Sequence, residues 1–208
     1  MTTVAATNGR PRRLTQPERS AATRKALLDS TIECLSELGY DQSTTTEISE
    51  RAGLSRGAHL HHFRTRAALL GAAVEALALR GAEQLEQGVQ QLPEGPKRPA
   101  AALDMVWELF CGPLFQAMLE LAIHARHDEA LRAQVDLLDR MVGHDGMPKL
   151  RRAFGRGPRE RDLDDVIAMV LATMRGLALV PTLEPGRSTA RAWRFCRAEL
   201  LTLLEQRC

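Results

Sequence analysis

The stretch Thr44-Thr45-Thr46-Glu47-Ile48-Ser49-Glu50-Arg51-Ala52-Gly53-Leu54-Ser55-Arg56-Gly57-Ala58-His59-Leu60-His61-His62-Phe63 decides the fold. It reads as helix, tight turn, short helix. Thr44 is a strong N-cap, and Glu47 three residues later completes a capping-box pattern that satisfies two orphan backbone donors reciprocally. Ile48 and Ala52 fall four apart on one face. Gly53 supplies the backbone freedom of a sharp turn, and Ser55 can cap the next helix. That helix is about eight residues long, roughly 12 Å at 1.5 Å per residue, and a DNA major groove is about 12 Å wide. The spacing predicts a helix-turn-helix at residues 44–63, and with it binding to double-stranded DNA.

On the N-terminal side, a helix over about Arg19 to Leu38 places Leu27, Leu28, Thr31, Ile32, Leu35 and Leu38 on one face at a period near 3.6. Gly39 ends it. Residues 1–18, with Arg10, Arg12 and Arg13, read as a disordered basic tail, either solvated or acting as an arm on phosphates or in a minor groove. They lack the apolar core of a signal peptide. On the C-terminal side, Thr65 caps a long helix from Arg66 to about Gln91, which Pro93-Glu94-Gly95-Pro96 breaks.

Beyond Pro99, Leu103, Val106, Trp107 and Phe110 mark a fifth helix. Gly112-Pro113 interrupts it, and Leu114, Phe115, Met118, Leu121 and Ala125 line a sixth. A seventh runs from about Glu129 to Val142, after which Gly143 to Pro148 loosens the chain. Two strongly amphipathic helices follow, at about 162–180 and 188–206. No strand-like alternation appears, so the fold is expected to be all-α, with about nine helices. A three-helix DNA-binding domain (19–82) precedes a larger C-terminal helical bundle (83–208).

The 208 residues can bury a real core, and the net charge of +2 by itself points to no nucleic acid. Its distribution is more telling. Through Arg66 the chain has ten basic against seven acidic residues, and after it eighteen against nineteen, so the small excess travels with the helix-turn-helix. Four scattered cysteines without a CxxC pair read as free thiols in a reducing cytoplasm, not as structural zinc. The run Val166 to Leu183 reaches membrane-spanning length, but Arg175, Gly176 and Pro181 argue for a helix packed from two directions, with no membrane involved.

Gly39-Tyr40, Thr44, Ile48, Ala52-Gly53-Leu54-Ser55, Arg56-Gly57, His61-His62-Phe63 and Leu69-Leu70 together resemble the TetR family of bacterial transcriptional regulators, over about residues 23–73. The resemblance implies a homodimer made through the last two helices (about 162–206). Each protomer would lay the helix at Arg56–Phe63 into successive major grooves of a pseudo-palindromic operator, and the C-terminal domain would bind an effector. One departure matters. The family usually carries tyrosine where Leu60 stands, and leucine cannot donate that hydroxyl to a phosphate.

Arg56 reads a base bidentately or contacts a phosphate. Gly57 and Ala58 are small enough to let the helix approach the groove floor. Thr44 and Thr45 open a helix whose free N–H groups favour a phosphate, and Arg66 is a second phosphate anchor. His59, His61 and His62 supply polar contacts to DNA, and their spacing supports no metal site. In the C-terminal domain Trp107, Phe110, Phe115, Met118, Met141 and Met174 are either core or the lining of an adaptable cavity for a small apolar effector. His124, three before His127, is a pocket or helix-surface residue. Arg175 must be paired if buried, by Glu120 or a partner-chain carboxylate, or else it receives an effector carboxylate.

No Ser/His/Asp, paired-carboxylate or nucleotide-loop constellation stands out, so no enzyme and no cofactor are expected. The expected function is a ligand-responsive regulator, a repressor released by its effector. The alternative is a DNA-binding protein controlled by a protein partner.

Overall fold

The computed structural model describes residues 15–155 and 160–207, and the side chains of all of these except 137–142, 160, 161 and 207. The described residues form nine α-helices and no strand: α1 (Gln16–Gln42), α2 (Thr45–Arg51), α3 (Arg56–His62), α4 (Arg66–Gln91), α5 (Arg98–Cys111), α6 (Pro113–Ala125), α7 (Glu129–Phe154), α8 (Glu160–Leu183) and α9 (Ala190–Arg207), with a 3-10 turn at Gly95–Lys97 before α5.

Local chemistry explains the starts. Ser55 accepts from the Ala58 N–H at 3.2 Å and Thr65 from the Ala68 N–H at 3.1 Å, opening α3 and α4. Thr44 accepts from the Glu47 N–H at 3.2 Å. Glu47, however, does not close the expected box; its carboxylate lies 3.9 Å from Arg51 one turn on. A reciprocal capping box does form at the head of α1, where Thr15 and Glu18 exchange bonds of 2.7 and 3.4 Å. That box starts α1 three residues earlier than expected.

Two other bounds differ from the sequence reading. α1 passes through Gly39, which breaks the helical dihedrals at φ 79°, and then makes one more turn to Gln42. α7 runs straight through Gly143 to Pro148 and ends at Phe154. Proline inside a helix removes one hydrogen bond and costs about 3 kcal/mol. Here the last two turns of α7 recover it by burying Leu150, Ala153 and Phe154, each large apolar side chain worth about 1.5–3 kcal/mol.

Three apolar clusters stack along the molecule. Leu27, Cys34, Ile48, Phe63, Leu69 and Ala73 hold α1 to α4 together around the helix-turn-helix. Ile32 and Leu35 of α1, Val74 and Leu77 of α4, and Ala117 and Leu121 of α6 form the middle cluster. Val106, Phe154, Ile167, Met174, Trp193 and Leu204 form the third, between α5, α7, α8 and α9. Helix α1 therefore belongs to two cores at once, its inner face shared between the helix-turn-helix and α6.

Bidentate pairs link the outer helices: Arg197 to Asp104 at 2.5 and 2.6 Å, and Arg151 to Asp164 at 2.7 and 2.6 Å. Their side chains are 31–45% exposed, so each adds under about 1 kcal/mol and serves mainly to fix helix orientation. One helix is under-covered. The apolar window of α8 is only 28% buried, and Ala168, Met169, Ala172 and Gly176 lie exposed along its outer side.

Candidate nucleic-acid interface

Helix α3 has two unlike faces. Arg56, Gly57, Leu60 and His61 are exposed, with Arg64 just beyond the helix end, while Ala58 and His62 are half-buried. His59 points inward and is 2% exposed. Its Nδ1 lies 2.8 Å from Ser49 Oγ of α2. Ser49 gives its only proton to the Thr45 carbonyl at 2.6 Å, so His59 Nδ1 carries the hydrogen and donates. Burial holds the His59 pKa below its ordinary value of 6.5, and the ring is neutral near pH 7. The expected polar contact from His59 to DNA is therefore corrected. On this seven-residue helix the inward position is occupied by a buried histidine whose Nδ1 is hydrogen-bonded.

Between α2, α3 and the head of α4 lies an open cleft of about 750 Å³, lined among others by Thr44, Thr45, Arg56, Leu60, Arg64 and Arg66. Three guanidiniums there face the single carboxylate of Glu50 among the described lining residues. The balance is cationic, as a polyanion requires. Thr44 is exposed and Thr45 half-buried at the head of α2. Arg66 is partly turned inward: it donates to the Tyr40 carbonyl at 2.6 Å and to the Ser43 carbonyl at 3.4 Å, with its guanidinium 4.1 Å over the Tyr40 ring. Two of its five donors are thus committed, while the residue still lines the cleft. His61 and His62 meet edge-to-face at 5.2 Å. The His62 pKa is also lowered, by burial first and then by the His61 and Arg24 charges.

The residues considered for an effector separate. Trp107 stacks on Trp193 at 4.6 Å, and Phe110 meets Phe115 edge-on at 4.8 Å. Met118 is half-buried against the middle cluster. Met174 is wholly enclosed in the third core, a packing residue. The Met141 side chain lies outside the described residues, as do residues 1–14 of the expected basic arm. His124 lies against the end of α1, stacked on Tyr40 at 4.0 Å. Arg175 is exposed on α8, so the expected buried charge does not arise within one protomer. Its suggested partner Glu120 instead accepts the Tyr40 N–H at 3.0 Å. Among the described residues no three metal-ligating side chains converge.

Sequence reasoning passed over Arg64 and Ser49. The first was visible as a basic residue directly after the reading helix. The second gave no signal, since its partner is known only once the turn is folded.

Comparison with known proteins agrees with this geometry. Residues 27–73 match the family model described as bacterial regulatory proteins, tetR family. The helix-turn-helix transcriptional regulator CymR of Pseudomonas putida is 31% identical over 172 residues, covering 81% of this chain and 84% of its own. A TetR-family transcriptional regulator from Cytophaga hutchinsonii superposes with a TM-score of 0.68 at 17% identity, over 94% of this chain and 98% of that one. The multidrug binding protein EbrR, solved with imidazole, gives 0.53 at 19% identity, over 85% and 93%. An exposed, arginine-led helix on a glycine turn, a cationic cleft beside it and a relative alike over most of its length lead to one conclusion: the chain belongs to the TetR family of DNA-binding transcriptional regulators and is not an enzyme.

Proposed function

We propose that the protein is a homodimeric, ligand-responsive repressor acting in the cytoplasm. Residues 19–82 serve as the reading unit, and 83–208 as the effector and dimerisation unit. The observation that carries this is the outward face of α3, where Arg56, Gly57, Leu60 and His61 stand free beside a cationic cleft. Arg56 and His61 meet base edges, Gly57 and Ala58 permit close approach, and Thr44, Thr45, Arg64 and Arg66 take phosphates.

Dimerisation through α8 and α9 is supported by their uncovered apolar side chains, Met169 at 43% and Phe195 at 68% exposure. The small residues Ala168, Ala172 and Gly176 at fourfold spacing let a second helix come close. Arg175 would then find a carboxylate across the dyad. Two reading helices about one DNA turn apart, roughly 34–36 Å, match successive major grooves.

A small apolar effector would bind among Trp107, Phe110, Phe115 and Met118, where α5 and α6 meet. By linkage, an effector that favours another arrangement of α4 to α6 binds the operator-bound form less tightly by the same factor that it weakens operator binding. One observation favours a second reading, control by a protein partner: Met174 and the Trp107–Trp193 stack already fill part of this interior.

Selection of duplexes from a random library by the purified protein tests the proposal. A pseudo-palindrome should emerge, and no enriched sequence at low salt would overturn the reading. A thermal-shift screen with apolar metabolites then separates the two modes of control.

A further inference from the structure

The break in α1 at Gly39 is gripped from both domains. Tyr40 presents two ring faces. His124 of α6 stacks on it with ring centroids 4.0 Å apart and planes at 16°, and the Arg66 guanidinium sits 4.1 Å from the same centroid. Two groups at that distance exclude each other from one face, so Tyr40 is sandwiched between them.

The His124 ring cannot turn freely. Its Nδ1 lies 3.0 Å from the Glu120 carbonyl, which can only accept, so Nδ1 carries the hydrogen. The carboxylate of that same Glu120 accepts the Tyr40 backbone N–H at 3.0 Å. It would also stand 3.3 Å from a Cβ at residue 39, a tight contact, at a φ of 79° that already favours glycine. On the far side, Arg66 returns two donors to the carbonyls of Tyr40 and Ser43, and Ser43 directly precedes the cap of α2. An unbroken set of polar and aromatic contacts thus runs from α6 through Tyr40 to the heads of α2 and α4, which border the cationic cleft.

We infer that Glu120 and His124 are positioning residues for operator binding: they fix the Gly39–Asp41 break, and through Tyr40 and Arg66 they set the angle at which α2 and α3 meet DNA. Neither residue lines the cleft. Their effect is on geometry, because a headpiece held at one angle loses less freedom on engaging two grooves at once.

The test uses the full dimeric protein, a duplex selected by the wild type from a random library, and an unrelated duplex. Glu120→Ala and His124→Ala should each weaken binding to the selected duplex roughly tenfold and leave the unrelated duplex unaffected. Glu120→Gln retains an oxygen that accepts from Tyr40, and His124→Phe retains the stack, so both should restore affinity to within about threefold of wild type. Glu120→Asp, too short to reach the Tyr40 N–H, supplies the same contrast if an alanine variant does not fold. Alanine variants that bind like wild type, equal losses on both duplexes, or Gln and Phe variants as weak as alanine would each overturn the inference.

Discussion

Ser49 Oγ and His59 Nδ1, 2.8 Å apart, tie the two helices of the helix-turn-helix together from within. The bond is sequestered, with both side chains buried. Its energetics are therefore asymmetric: losing one partner leaves the other desolvated and unpaired, whereas losing both leaves an ordinary apolar contact.

Ser49→Ala is accordingly expected to destabilise the protein by about 1–3 kcal/mol in urea unfolding. The double variant Ser49→Ala with His59→Leu should lie within about 1 kcal/mol of wild type. If the double variant is no more stable than the single one, the two residues are not coupled.

The same histidine sets an acid limit. Its folded-state pKa is held below 6.5 by burial, so the unfolded chain takes up the proton first. Stability therefore falls as pH drops below about 6.5 and levels off once the native ring also titrates. The depressed carboxyls act lower, Asp29 from an ordinary 3.8 (burial raises it, but hydrogen bonds from Lys25 and Arg80 outweigh that) and Asp164 from 3.8 through its bond to Arg151. Unfolding curves between pH 7 and 5.5 should lose more stability in the wild type than in the double variant. Parallel curves would show that His59 does not titrate in this window.

At the groove face, Arg56 and Arg64 are expected to separate. Arg56→Ala should cost about 1–3 kcal/mol on the selected duplex and relax preference at one base position. Arg64→Ala should weaken all sequences alike and reduce the salt slope by about one. A repeat selection with each variant and a salt titration read both effects. An unchanged preference with Arg56→Ala would make that residue a phosphate contact.

On the proposed dimer face, Met169→Glu and Phe195→Glu place charges where a second copy would press. Both should sediment as single chains, and loss of the second half-site should lower operator affinity on the order of a hundredfold or more. Dimers persisting in both variants would move the interface elsewhere.

What was legible in the sequence was local. Ser55, Thr65 and Gly53 act within four residues of themselves, and each acts as read. The long apolar periods of α4, α6 and α8 likewise announced helices, because burial on one side imposes a 3.6-residue rhythm. One local reading failed, since the Glu47 carboxylate turns to Arg51 instead of closing its box, and the other failures mostly involved partners beyond the local window. His59 and Ser49 make a polar pair on an inward face, which periodicity counts as outward. Tyr40 and His124 stand eighty-four residues apart, so no window contains both. Pro148 reads as a stop until the packing of Leu150 and Phe154 outweighs it. Arg175 looked buried because its helix is apolar all round, and only the fold reveals which side stays bare.

That bare side has a consequence for gene dosage. With 28% of its apolar window covered, α8 in a single chain leaves most of that stretch uncovered, and the proposed dimer would shield it. The melting temperature should therefore climb with protein concentration, since assembly and folding draw on the same equilibrium. On the proposed dimer, newly synthesised chains in a cell making few copies would be lost to proteases before pairing, and operator occupancy would set in only above a threshold of expression.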